Sequence, residues 1–176
     1  MRKLLLITIS VLMLFSCSSE IDIPSNVKVK WRFKLNGVEY RWSGNYLSLD
    51  TDGACIVADQ GNITQISGFN CNGSCSGTGA FRVNFILALP INFKTGKYVL
   101  NQGTIQNLNY SGTIIINENS MYQSSSQGGD LTVNIIETSN RVNGIVKGTF
   151  SGTVINVNNL SRNVISDGYF EAIRPI

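Results

Sequence analysis

Residues 31–42, WRFKL-NG-VEYRW, constrain the fold more than any other stretch of the chain. Asn36-Gly37 sits between two alternating runs. A type I′ turn needs φ > 0 at both central residues, which Asn and Gly tolerate. A two-residue turn also sets the register: Leu35 faces Val38, Phe33 faces Tyr40, and Trp31 faces Trp42. Side chains alternate along a strand, so these six apolar residues share one face. Lys28, Lys30, Arg32, Lys34, Glu39 and Arg41 share the other. A ribbon that is dry on one face and wet on the other is part of an antiparallel sheet that needs a covering layer.

The rest of the chain supplies strands for that layer. Residues 46–49 and 54–58 flank the turn signal Asp50-Thr51-Asp52-Gly53, and Gln60-Gly61-Asn62 separates a further run at 63–69. Phe81, Val83, Phe85, Leu87 and Leu89 alternate with Arg82 and Asn84 until Pro90 ends the strand. Shorter strands follow at 97–100 and 112–116, and Leu131, Val133 and Ile135 resume the alternation. Residues 142–157 are the longest extended stretch, with Val142, Gly144, Val146, Gly148, Phe150, Gly152 and Val154 on one face. Glycine within a strand marks a bend or a close neighbour. Trp31 or Trp42 from the hairpin is expected to lie over these glycines. Residues 164–173 return with Phe170 and Ala172 on one face and Tyr169 and Glu171 on the other. Past the N-terminal segment no window shows a 3.6-residue apolar period. The expectation for residues 27–176 is one all-β domain, an antiparallel β-sandwich or flattened β-barrel of about ten strands, with a lipocalin-like barrel as the alternative.

The N-terminus reads differently. Arg2 and Lys3 precede an almost wholly apolar run at residues 4–15, and Ser16-Cys17 follows at once. That is a secretory signal, too short for a transmembrane helix. Leu14-Phe15-Ser16-Cys17 resembles a bacterial lipobox, which implies a signal peptide at 1–16 and a lipidated Cys17 as the new N-terminus. Residues 17–26 then form a polar tether, reaching at most about 30 Å from the membrane. Cleavage before Cys17 leaves a net charge of +1, which gives no support to a nucleic-acid partner.

Cys55, Cys71 and Cys75 remain, in a compartment that permits disulfides. One bridge and one free thiol is the simplest count, and all three pairings are open. Cys71-Asn-Gly-Ser-Cys75 has the look of a zinc half-site, but three thiols and no histidine fall short of the usual four ligands. No metal and no cofactor is implied. Without histidine, a Ser-His-Asp triad and a Cys-His pair are impossible, and none of the eleven acids stands out as a glycosidase pair. The chain is not read as an enzyme.

Two polar stretches, residues 70–79 and 117–129, read as loops, the second long and mobile. Tyr46, Tyr98, Tyr110 and Tyr122 are candidates for a sugar-stacking platform. Tyr122, beside Met121 in the second loop, is the best placed of them, so Met121 and Tyr122 form a candidate binding loop.

The lipobox, the W-x-F-x-L-N-G-x-x-Y-x-W hairpin and the closing G-T-F-S-G-T-V … D-G-Y-F-E-A-I-R together resemble small Bacteroidetes lipoproteins of unknown function. The C-terminal residues concerned are 148–154 and 168–174. The resemblance implies an all-β domain held by lipid on the outer membrane, facing the cell surface or the periplasm. It carries no catalytic or binding residue. The functional expectation is a non-catalytic binding module for glycan or protein. The alternative is a structural or assembly subunit of the envelope that pairs through a strand edge.

Overall fold

The computed structural model describes residues 27–45, 53–71, 81–101, 111–116, 120–124 and 128–175. The hairpin turn takes the conformation its residues favour: φ is 50° at Asn36 and 84° at Gly37. Strand β1 (Lys28–Leu35) pairs with β2 (Val38–Asn45), with Trp31 opposite Trp42, Phe33 opposite Tyr40 and Leu35 opposite Val38. Then come β3 (Gly53–Gln60), β4 (Ile63–Cys71), β5 (Phe81–Pro90), β6 (Gly96–Leu100) and β7 (Gly112–Ile116). They are followed by β8 (Ser120–Gln123), β9 (Asp130–Glu137), β10 (Ile145–Asn156) and β11 (Arg162–Ile173). No helix occurs among the described residues.

The protein is all-β, and its sheet folds over into two layers. One layer runs β2-β1-β11-β10-β9-β6, and the other runs β3-β4-β5-β7-β8. They join at two corners. The end of β10 pairs with β8 through Ile155 and Asn156, and the end of β11 meets β3 in a parallel step between Ile173 and Ile56. Hydrogen bonding around this circuit is thin at both corners, and the body is a β-sandwich or flattened β-barrel. The lipocalin alternative fails on topology. An up-and-down barrel pairs each strand with its chain neighbour, whereas here β5 pairs with β7 and β6 pairs with β9.

The core lies between the layers. Trp31 and Phe33 from β1, Phe85 from β5, Phe150 from β10 and Phe170 from β11 are all fully buried or nearly so. Trp31 and Phe33 each meet Phe85 edge-on, with centroids 5.6 and 6.2 Å apart, and Phe85 lies 5.3 Å from Phe150. These separations suit the quadrupoles of aromatic rings. A Cβ on Gly68 of β4 would lie 2.1 Å from the Phe85 ring and 2.8 Å from that of Trp31. Only glycine lets β4 approach so closely.

Four expectations need correction. The shared dry face holds for β1, where Val29, Trp31, Phe33 and Leu35 are buried, but only partly for β2. Val38 is 57% exposed and Trp42 is half-buried, because β2 is an edge strand that overhangs the core. The hairpin tryptophans do not cover the glycines of β10. Phe170 lies over Gly148, while Trp31 lies over Gly68 and Trp42 over Gly44 and Gly53. The hairpin shares a layer with β10, separated from it by β11, so its side chains point alongside those of β10 rather than across them. The extended stretch assigned to 142–157 begins only at Ile145, after a turn. Finally, residues 117–129 do not form one long loop, because they contain β8.

Strand β8 forms despite its polar side chains because its backbone has partners on both sides. It pairs with β7 from Thr113 to Ile116, and Val157 N donates to Met121 O at 2.9 Å. Ser124, fully buried, accepts a 2.7 Å bond from Gly112 N at its Oγ and donates its own N–H to Gly112 O at 2.8 Å. Satisfying backbone groups orders a segment that apolar burial alone would not.

Candidate functional site

The anticipated residues that the structure describes are spread over β3, β4, β6 and β8. Met121 and Tyr122 lie on β8 rather than on a loop. Tyr122 stands opposite Ile114 and Asn156 and packs on the core, and Met121 is 36% exposed. Tyr98 closes a turn, its hydroxyl accepting from Lys94 N and donating to Lys94 O at 2.9 Å each. Tyr46, Tyr110, Cys17 and Cys75 lie outside the described residues, as do the signal and tether at 1–26 and most of the 70–79 segment, of which Asn70 and Cys71 belong to β4. Cys55 is a free, fully buried thiol whose burial pushes its pKa far above the ordinary value. Cys71 is disulfide-bonded. The pairings through Cys55 therefore fall away. Among the described residues no three His, Cys, Asp or Glu side chains gather as metal ligands would.

The described residues instead offer a candidate site on the outer face of the six-stranded layer. Strand registers place Arg41 opposite Arg32, Arg32 opposite Tyr169 and Tyr169 opposite Thr149. Thr149 is opposite Asn134, and Asn134 is opposite Lys97. One straight row thus crosses β2, β1, β11, β10, β9 and β6. Alternation turns each of these residues away from the core, since Trp31, Phe33, Phe150, Phe170 and Val133 beside them point inward.

The rows on either side carry the ion pairs of this face. On one side Lys30 Nζ lies 3.0 Å from Glu171 Oε1 and Lys147 Nζ 2.7 Å from Glu137 Oε2, with Glu171 and Lys147 opposite each other. On the other side Lys34 Nζ lies 2.8 Å from Asp167 Oδ2. That hydrogen bond and charge raise the Lys34 ammonium and lower the Asp167 carboxyl. The central row holds three cations and no carboxylate, and Arg32, Arg41 and Lys97 form no ion pair with described residues.

Tyr169 is the pivot of this face. Its hydroxyl donates a short hydrogen bond to Glu171 Oε1, and Lys30 Nζ sits 5.6 Å from its ring centroid. Burial, then the bond to Glu171 and the charge of that carboxylate, push its phenol up to about 12. Burial alone would raise Glu171. The hydrogen bonds from Tyr169 and Lys30, with the charges of Lys30 and Lys147, outweigh it and hold the carboxyl below the ordinary range.

Above this row runs an open groove of about 530 Å³, lined among others by Arg32, Lys97, Thr132, Asn134, Thr149 and Ser151. It continues over Arg32, Glu39 and Tyr169 into a second hollow of about 690 Å³ beside Lys30 and Arg41. Hydroxyls, an amide, cations, one phenol ring and the carboxylates of Glu39 and Asp167 make a surface that can hydrogen-bond a polar ligand. The basic side of β1 and β2 was legible in the sequence as a solvated strand face. Its continuation through Tyr169, Thr149, Asn134 and Lys97 depends on pairings between distant segments.

No protein-family model, no curated protein and no solved structure matches the chain.

Proposed function

We propose that the chain is a non-catalytic envelope lipoprotein, tethered to the outer membrane by lipid on Cys17, that binds glycan along the outer face of its six-stranded layer. The observation that carries this reading is the groove crossing all six strands, floored by a row of hydrogen-bonding side chains. The lipobox and the resemblance of residues 148–154 and 168–174 to small Bacteroidetes lipoproteins support the anchor. The binding surface moves from the loops to a sheet whose backbone is already ordered, so that only its exposed side chains, Arg32, Arg41 and Lys97 above all, are ordered on binding.

The alternative, an assembly subunit joining through a strand edge, draws on the open edges of β2 and β6 in the same layer. One experiment separates the two. The full-length chain in detergent micelles is passed over a panel of immobilised polysaccharides, beside a Thr149→Trp variant that obstructs the groove without changing its charge. Retention of the parent on a polysaccharide, lost in T149W, supports glycan binding. Retention on none, together with envelope proteins captured equally by both forms, supports edge pairing.

A further inference from the structure

We infer that the ligand of this groove is an acidic glycan, with carboxylates repeated along its length, and that Arg32 and Arg41 take one of them between them. The inference rests on the groove reading above and names its ligand class. Arg32 and Arg41 stand directly opposite each other on β1 and β2. Like charges in that relation are destabilising. Elsewhere on this face the molecule relieves such pressure by pairing: Lys30 with Glu171, Lys147 with Glu137 and Lys34 with Asp167. The nearby acids are thereby committed, except Glu39, which makes no ion pair with a described residue. Neither arginine makes an ion pair with a described residue, although Glu39 lines the same groove and the charge of Arg32 acts on Asp167, and two guanidinium forks match the geometry of a carboxylate.

The row also has a length. Arg32 and Lys97 are separated by the intervals β1-β11, β11-β10, β10-β9 and β9-β6, about 19 Å at the usual strand spacing. A single small anion cannot reach both. Between them lie Tyr169, Thr149 and Asn134, whose hydroxyls and amide suit the hydroxyl groups of sugar rings better than an apolar chain. A single-stranded nucleic acid would ask for several exposed aromatic faces, and this row has one half-buried tyrosine.

The test is calorimetric titration of the full-length chain in neutral detergent micelles with three probes: polygalacturonate, its fully methyl-esterified form and poly-glutamate. Polygalacturonate should bind, and more weakly as salt rises. The esterified polymer should bind at least about tenfold more weakly, and Arg32→Gln, Arg41→Gln or Lys97→Gln should each cost about tenfold for polygalacturonate. These positions are exposed, so none of the variants should lower the thermal midpoint, and relief of the Arg32–Arg41 repulsion should raise it slightly in the two arginine variants. Lys28→Gln, equally exposed on β1 but outside the row, should bind as the parent does. Equal binding of the esterified form would overturn the acidic ligand and leave the glycan groove standing. Binding of neither polysaccharide would overturn both. Poly-glutamate bound as tightly as polygalacturonate, or a Lys28→Gln loss as large as that of Arg32→Gln, would reduce the row to a generic polyanion surface and overturn the inference.

Discussion

Asn36 clasps Val164. Its backbone N–H donates to Val164 O and its Oδ1 accepts from Val164 N, both at 2.9 Å. The turn of the hairpin is thereby fastened to the start of β11, 128 residues away. Asn36→Gly keeps the positive φ of the turn but removes the side-chain bonds to Val164 and Asn163. The expected loss is about 1–3 kcal/mol in chemical denaturation. A variant as stable as the parent would mean that turn conformation alone holds the hairpin.

The two tryptophans differ in weight although they face each other. Trp31 is 1% exposed and touches Phe33 and Phe85, so Trp31→Ala should cost about 3–5 kcal/mol. Trp42 overhangs the edge, and Trp42→Ala should cost less by at least about 1 kcal/mol. Equal losses in urea unfolding would show that β2 is as deeply packed as β1.

The thiols have distinct fates. Cys55 is buried and free, and Cys71 is bonded. With Cys17 assigned to lipid, Cys75 is the partner expected for Cys71. Peptide mapping without reduction should find Cys71 linked to Cys75, and Cys55 alkylated only after denaturation. Labelling of native Cys55 at the rate of an exposed thiol would contradict its place in the core.

The Tyr169–Glu171 pair gives stability a pH window. Glu171 is lowered in the fold, so its contribution is present above its unfolded value of 4.5 and lost as pH falls through the lowered one. Tyr169 is raised to about 12, so its contribution is present below 10.0 and lost as pH rises toward 12. Thermal midpoints should fall at both ends. Glu171→Gln should flatten the acid limb and bring the phenol of Tyr169, read by ultraviolet titration, back toward 10. An unchanged phenol would mean that burial alone raises it.

How much of this was legible in the sequence follows from the range of each interaction. The hairpin register, the strand at 81–90 and the two faces of β11 rest on alternation and turn chemistry within a few residues, and all three appear as read. Strand β8 was hidden because its side chains are polar and its stability comes from the backbone partners Gly112 and Val157. The half-exposure of Trp42 required knowing that β2 ends the sheet. The cationic row was half visible: Arg32 and Arg41 face outward from the hairpin pattern alone. Tyr169, Thr149, Asn134 and Lys97 join them only through β1–β11, β10–β11, β9–β10 and β6–β9 pairing. No local signal encodes those registers.

The central claim is that ligand lies along this row. Its most direct measurement is backbone amide chemical-shift mapping of the isotope-labelled full-length chain in micelles, titrated with oligogalacturonate. The account predicts that the shifts concentrate at Arg41, Arg32, Tyr169, Thr149, Asn134 and Lys97, crossing the six strands in one band. Shifts confined to β8, to the open edges of β2 and β6, or to the segments joining the strands would contradict it.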